Sequence, residues 1–484
     1  MLFAFVDFRF VFGKPGKCPH RLFAVFNGFF LAFFYFSSII IVQNLALPFL
    51  RKDGADTSYP LTRFSKETEK NMLNVLIWIN EVLFPLFLAL YSYQFFYLFV
   101  ALFKKPRHLP QTSAHHRYCV LIAARNEENV IASLIASIKA QTYPQSLIDI
   151  CVVADNCTDA TAETARKAGA YVVERKNPSL TGKGYALDYL IKNLPAPQKP
   201  DAYLIFDADN ILDSHYIEEM NKVYDAGFLA STSYRNSCNY GSNWISAGYA
   251  LWFLRESRYL NQARMQLGTS CAISGTGFMV AASVIEQNNG WIHHLLTEDV
   301  EFSVDSVLHG IRIGYCGSAI VYDEQPVTFR HSWNQRLRWC KGFYQVLSRY
   351  GTGLLRAVLG RRCFGAFDMM MAIAPAALIS ICTLIINGFA MLAGLLTESA
   401  ALLSLGAGSL FSNMWGYYQV LFVLGAVTLV TEWRRIHTSI PRKLLSCFTF
   451  PLFMFTYVPI ALAALRKNVA WTPIPHTGYE IKNP

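Results

Sequence analysis

Charge is what this chain has least of. Only 16% of its 484 residues are Asp, Glu, Lys or Arg, against 53% hydrophobic, whereas soluble domains are about a quarter charged. The deficit is concentrated. Stretches 22–50, 369–397, 399–431 and 444–465 contain no Asp, Glu, Lys or Arg, and 71–103 contains only Glu81. A bilayer-spanning helix needs about 20 apolar residues. Each stretch supplies them, so an integral membrane protein is expected. The first run follows Arg9, Lys14, Lys17 and Arg21 but is longer than the roughly 7–15 apolar residues of a secretory signal. An uncleaved helix is expected there.

Other absences narrow the class. The 11 cysteines include no CxxC pair, which argues against a zinc ribbon or disulfide framework and for single buried thiols. No GxGxxG follows the first strand, and the GKG at 182–184 lacks the spacing and Ser/Thr of a P-loop, so neither nucleotide motif applies. There is no internal repeat and no low-complexity tract. The net charge of +10 is not gathered into one basic block, so no nucleic-acid partner is expected. The bases cluster where apolar runs end, at Lys104-Lys105-Arg107, Arg361-Arg362, Arg434-Arg435 and Arg442-Lys443. The positive-inside rule then puts residues 106–366 in the cytosol of a multi-pass cell-membrane protein. With Glu81 alone ionisable within a span, a transporter is a weaker reading.

Between the apolar runs the rhythm changes. CVLIAA (119–124), IDICVVAD (148–155), AYVVER (170–175) and YLIFDAD (203–209) read as strands. Helical stretches near 128–139, 159–167 and 185–192 separate them. Alternating strands and helices imply a parallel sheet covered on both faces. Ligands bind beyond the carboxyl ends of such strands. Those ends carry Asn126 and Glu127, Asp155, and Asp207 and Asp209.

Asp207 and Asp209 flank one alanine after a buried strand and supply hard oxygen ligands suited to Mg²⁺ or Mn²⁺. Asp155 reads either as a turn former or as an acceptor for a base N–H. Lys183, between two glycines, reads as a phosphate contact or a solvated loop lysine. In LLTEDVEFS, Thr297 is a candidate helix cap with Glu298 and Asp299 in the first turn, a common stabilising pattern. Asp299 can also accept a proton from an attacking hydroxyl. His293 and His294 read as surface residues. In HSWNQRLRWCKG (331–342), Gln335, Arg338 and Trp339 share one helix face. Such a helix suits a membrane surface, with Arg336 and Lys341 at the headgroups, or a sugar-phosphate site. The residues alone leave the two even.

Taken in order, NEE (126–128), ADNCTD (154–159), GKG (182–184), DAD (207–209), TED (297–299) and QRLRW (335–339) resemble the membrane-embedded family 2 glycosyltransferases. Their order and apolar flanks are similar to the cellulose synthase, hyaluronan synthase and poly-N-acetylglucosamine synthase branch. The resemblance covers roughly residues 72–484. It implies a GT-A α/β domain with a mostly parallel sheet, set between N-terminal and C-terminal transmembrane helices. It further implies inverting, metal-dependent transfer from a UDP-sugar, with Mg²⁺ or Mn²⁺ as cofactor. Carried over by position, Asn126, Glu127, Asp155, Lys183 and Asp207 bind nucleotide. Asp207 and Asp209 hold metal, and Glu298 and Asp299 are catalytic, with Asp299 the base. Gln335, Arg338, Trp339, Gly275 and Thr276 meet diphosphate and acceptor. The cellulose-synthase His after DxD is Asn210 here, and WTPIPHT (471–477) is similar to a gating segment.

The expected organisation is a membrane region to residue 105, with helices at 22–46 and 72–103, and then a catalytic domain at 106–330. Interfacial helices follow at 331–366. A second membrane region spans 367–466, with helices at 369–396, 413–431 and a re-entrant 444–465, before a tail at 467–484. The expected product is a β-linked polysaccharide passed across the membrane. A membrane-lipid acceptor taking a single sugar is the alternative.

Overall fold

The computed structural model describes residues 66–107, 109–195, 199–361, 363–373 and 375–466, together with Val469, His476 and Gly478. The expected first membrane helix at 22–46 and most of the WTPIPHT segment lie outside the described residues. The described residues divide into two compact units, one drawn from 97–373 with 424–466, Val469, His476 and Gly478, and the other from 66–96 with 375–423.

In the first unit the apolar runs become strands. β1 (Tyr118–Ala124), β2 (Ile148–Asp155), β3 (Tyr171–Arg175) and β4 (Ala202–Asp207) pair in parallel in the order β3-β2-β1-β4. Val120, Leu121 and Ile122 of β1 and Val152 and Val153 of β2 are fully buried, which explains why these strands read as unbroken apolar runs rather than alternating ones. Helices Ile131–Lys139, Thr161–Lys167 and Lys183–Lys192 connect them. Four further strands extend the sheet: β5 (Ile211–Leu212), β6 (Ala230–Ser237), β7 (Phe278–Ala281) and β8 (Ile313–Asp323). The full order is β3-β2-β1-β4-β7-β6-β8-β5, with β7 antiparallel to both β4 and β6. This is the mostly parallel GT-A sheet that the resemblance implies. β6 (ASTSYRNS) escapes sequence reading because its buried residues are Ser, Thr, Tyr and Asn.

Helix Phe329–Arg361 follows β8 without an interruption at residue 331. Arg336 does not lie at a surface. It is fully buried, with Nη1 donating to Phe453 O at 3.2 Å and to Thr456 Oγ1 at 2.5 Å. Its guanidinium lies 4.4 Å from the Phe453 ring centre. Lys341 Nζ donates to Ala464 O at 3.3 Å. Both bases therefore anchor this helix to helices Ile440–Phe455 and Tyr457–Arg466 and the Thr456 between them, where carbonyl and aromatic partners replace water.

The second unit is helical. Asn80 and Asn387 exchange side-chain amide hydrogen bonds at 3.0 and 2.9 Å, a pairing that satisfies polar groups amid apolar helix faces. Gly394 and Gly406 sit where a Cβ would meet the backbone of Leu403 at 2.5 Å and of Asn387 at 2.9 Å. They permit close packing of helices Pro375–Leu396 and Ala400–Thr431. Among the described residues, three helices are long and apolar enough to cross a membrane: Lys66–Phe103, Ala400–Thr431 and Ile440–Arg466. Helices Phe364–Ile373 and Ile381–Leu396 are apolar but shorter.

Candidate active site

The sheet delivers its polar residues to one end. β4 stops at Asp207, and the DADN turn that follows is held by two side chains. The Asp207 amide donates to Thr276 Oγ1 at 2.9 Å and to Asn210 Oδ1 at 3.2 Å. The Thr276 hydroxyl in turn bonds Asn210. Asn210 and Thr276 are both buried, so each shapes the turn. Thr276, expected on the acceptor side, has its hydroxyl turned into that turn.

Lys183 opens its helix after Gly182, whose φ of +135° suits glycine. Its ammonium is 2.6 Å from Asp207 Oδ1, donates to Gly275 O at 2.7 Å, and lies 3.9 Å from Glu298 Oε1. Burial works against that charge, and the Asp207 and Glu298 carboxylates outweigh it, so Lys183 stays protonated well into the basic range. Burial likewise opposes ionisation of Asp207, and Lys183 outweighs it with help from Arg235 and Arg338. Asp207 is therefore held as a carboxylate.

Gly275 links this pair to the TED helix. Its φ is +79°, its carbonyl accepts from Lys183, and its amide donates to Asp299 Oδ2 at 2.6 Å. Glu298 and Asp299 begin helix Glu298–Leu308 and are both largely buried. Thr297 occupies the N-cap position without making a side-chain capping hydrogen bond. Its methyl and hydroxyl instead fill the space that a Cβ on Gly342 would need, so its role is packing. Burial raises Asp299, partly offset by the amides of Val300 and Gly275. Burial and the neighbouring Asp299 push Glu298 up to about 8.

The other residues expected on the nucleotide side split. Asp155 Oδ1 is 2.5 Å from Arg175 Nη1, its register partner across β2 and β3, so this carboxylate is paired within the sheet end. Asn126, at φ 59°, accepts from the Thr158 amide at 2.9 Å and braces the loop. Glu127 faces the centre, 2.8 Å from Nδ1 of His476. The other imidazole nitrogen, Nε2, is 3.7 Å from Asp209 Oδ2. Burial opposes the charge on His476, but Asp209 and Glu127 raise it to about 10. Burial, partly offset by His476, pushes Asp209 up to about 7.

Two further groups were not visible in the sequence. Arg235 of β6 donates to Asp323 at 2.6 Å and to Ser274 O at 2.8 Å, adding positive charge beside Asp207. Glu256, raised by burial, accepts from Ser274 at 3.1 Å. Neither sits in a motif. His293 is buried against Asp305 at 3.1 Å and is not a surface residue. On the long helix, Gln335 Oε1 is buried without a hydrogen-bond partner among the described residues. Trp339 packs edge-on to Tyr249 at 5.7 Å and Phe253 at 6.1 Å.

Among the described residues no three His, Cys, Asp or Glu side chains are arranged to hold a metal ion. Asp207 and Asp209 supply hard carboxylate oxygens of the kind that suit Mn²⁺ or Mg²⁺, and His476 lies beside Asp209 as its ion-pair partner. Burial is the main reason Asp209 is raised, with His476 opposing it and Asp207, Asp323 and Glu127 adding to it.

Residues 115–342 match the family model described as glycosyltransferase like family 2. Beta-monoglucosyldiacylglycerol synthase of Synechocystis sp. is 25% identical over 240 residues, covering 48% of this chain and 49% of that protein. Poly-beta-1,6-N-acetyl-D-glucosamine synthase of Staphylococcus aureus is 26% identical over 239 residues, covering 47% and 55%. The chain thus spans about half the length of these curated relatives. A mannosyltransferase of Pyrobaculum calidifontis, solved with GDP-Man and Mn²⁺, aligns at a TM-score of 0.48 and 15% identity, over 81% of this chain and 98% of that one.

Proposed function

Starting from a family 2 glycosyltransferase domain over residues 115–342, we propose that this chain transfers a hexose from a UDP-sugar, with inversion, to a growing β-linked polysaccharide. The observation that supports it is the linkage through Gly275, which binds the donor-side Lys183–Asp207 pair and the acceptor-side Asp299 into one frame.

In this reading the acceptor hydroxyl gives its proton to the Asp299 carboxylate. Its oxygen forms the new bond at the anomeric carbon, on the face opposite the diphosphate. The bond from that carbon to the β-phosphate oxygen breaks, and UDP leaves with the electron pair. Burial suits Asp299 to the task, since a raised carboxyl is a better proton acceptor. Arg338 and Lys183 meet the diphosphate, Arg338 as a planar fork. Gln335 offers its unpaired Oε1 to an acceptor hydroxyl, and Trp339 an apolar ring face to a pyranose. Asp207 and Asp209 would hold Mg²⁺ or Mn²⁺, which supplies charge neutralisation for the leaving diphosphate. Glu127 orients His476 through Nδ1, which keeps the imidazole beside Asp209.

Apolar helices on both sides of the domain support a multi-pass membrane enzyme with its catalytic domain in the cytoplasm, and a product passed outward. A second reading, one sugar added to a membrane lipid, is favoured by the similarity to beta-monoglucosyldiacylglycerol synthases. The experiment is incubation of the purified chain in lipid with labelled UDP-sugars and Mn²⁺, followed by typing with linkage-specific glycosidases. A high-molecular-weight polymer from one donor is expected. A lipid-extractable monosaccharide adduct as sole product would move the assignment to the second reading.

A further inference from the structure

A second cationic site lies on the catalytic unit, apart from the carboxylates. Where the apolar helix Ala400–Thr431 ends, a cavity of about 560 Å³ is lined by Arg258 and the run Val430–Arg435. Three arginines and one carboxylate face it. That carboxylate, Glu432, is buried and already engaged. It accepts from Tyr234 Oη at 2.5 Å and lies 3.4 Å from Arg258 Nε. Lys443 stands 4.5 Å over the Trp433 ring and donates to its carbonyl at 2.8 Å. Arg258 at 3.4 Å and Arg435 at 3.8 Å share the Glu432 carboxylate, so three arginines against one carboxylate leave the lining net positive, with Arg434 exposed and an indole at the wall.

Strand alternation separates this cavity from the sugar site. In β6, Arg235 turns to Asp323 and Ser274, while its neighbours turn the other way. Tyr234 bonds Glu432 and carries the Arg435 guanidinium 4.1 Å over its ring, and Asn236 donates to Arg435 O at 3.0 Å. The π-helical turn Glu256–Asn261 repeats the division, with Glu256 bonded to Ser274 and Arg258 directed at Glu432. Bases placed only to orient a span need to be near its end. Here Arg258 arrives from a segment more than a hundred residues away to complete a concave site.

We propose that this cavity binds the phosphate headgroup of an anionic membrane phospholipid. The arginine forks match phosphate oxygens, and the tryptophan belongs at the headgroup level where an apolar helix ends. The proposal rests on Ala400–Thr431 being a membrane span.

The test uses the full chain reconstituted in phosphatidylcholine alone or in an equimolar mixture with phosphatidylglycerol. Phosphatidylglycerol retained on the protein after detergent dilution is quantified by mass spectrometry. The wild type is expected to retain it, and Arg434→Gln to retain about fivefold less, the share of one base near a charged headgroup. The double variant R258Q/R434Q is expected to lose more. The exposed Arg434 keeps the single variant informative should the double variant misfold. Equal retention by wild type and folded variants would overturn the site. Displacement of the lipid by millimolar inorganic phosphate would overturn the lipid as its ligand. Vesicle flotation after an alkaline wash tests the membrane reading separately: a chain that fails to float overturns the span on which the site rests, whereas loss of phosphatidylglycerol selectivity in a chain that floats overturns the cavity alone.

Discussion

His476 bonds Glu127 through Nδ1 at 2.8 Å and thereby turns Nε2 toward Asp209. A residue near the end of the sequence thus joins two strand-end motifs that lie far upstream. This arrangement predicts that His476→Ala weakens Mn²⁺ binding at least about tenfold, and that Glu127→Gln has a smaller effect in the same direction. Titration of Mn²⁺ by electron paramagnetic resonance, without substrate, measures both. Unchanged affinity in the histidine variant would show that His476 does not support the metal site.

Asp299→Asn removes the proposed proton acceptor and leaves the volume unchanged. Its kcat should fall about 10²- to 10⁴-fold, while UDP affinity by calorimetry stays near that of the wild type. Loss of UDP binding instead would place Asp299 in the donor site.

The pH profile follows from burial. Asp299 titrates above the ordinary aspartate range and Glu298 is pushed up to about 8. A base must be ionised to act, so activity is full above the raised value and declines as pH falls through it. The acid limb of kcat/KM should therefore lie above the usual aspartate value of about 3.9. A limb near that value would mean an exposed carboxylate is the base.

A stability prediction concerns the ion pair of Arg264 and Asp368. Both side chains are buried, Arg264 reaches the carboxylate at 2.8 Å through two nitrogens, and Tyr97 Oη donates to it at 2.8 Å. Asp368→Ala strands a buried guanidinium and should destabilise by about 3–5 kcal/mol. Adding Arg264→Met should restore part of the loss. Thermal unfolding in one detergent compares the three chains, and equal midpoints would show the pair is not structural.

The first four strands and their carboxylates were legible because a doubly covered parallel sheet demands continuous apolar runs, and such runs end abruptly in polar residues. Asp155, Asp207 and Asp209 sit at those breaks, whereas Glu298 and Asp299 open a helix. β6 was not legible, since Ser, Thr, Tyr and Asn are buried there by partners that only folding supplies. Arg336 read as interfacial from its charge and aromatic neighbours, yet it is buried against Phe453 and Thr456. Sequence spacing carries no information about a partner more than a hundred residues away.

Local pattern therefore determined the apolar helices and the parallel half of the sheet, each set by hydrophobic periodicity over a few residues, while the ordered polar motifs carried a family resemblance. Tertiary structure decided which polar residues face one another. It turned Thr276 and Asn210 inward to hold the DADN turn, paired Asp155 with Arg175, and brought His476 to Asp209. Those outcomes depend on burial and charge balance among segments distant in sequence, and a buried charge keeps its ionised form only where the fold supplies a partner.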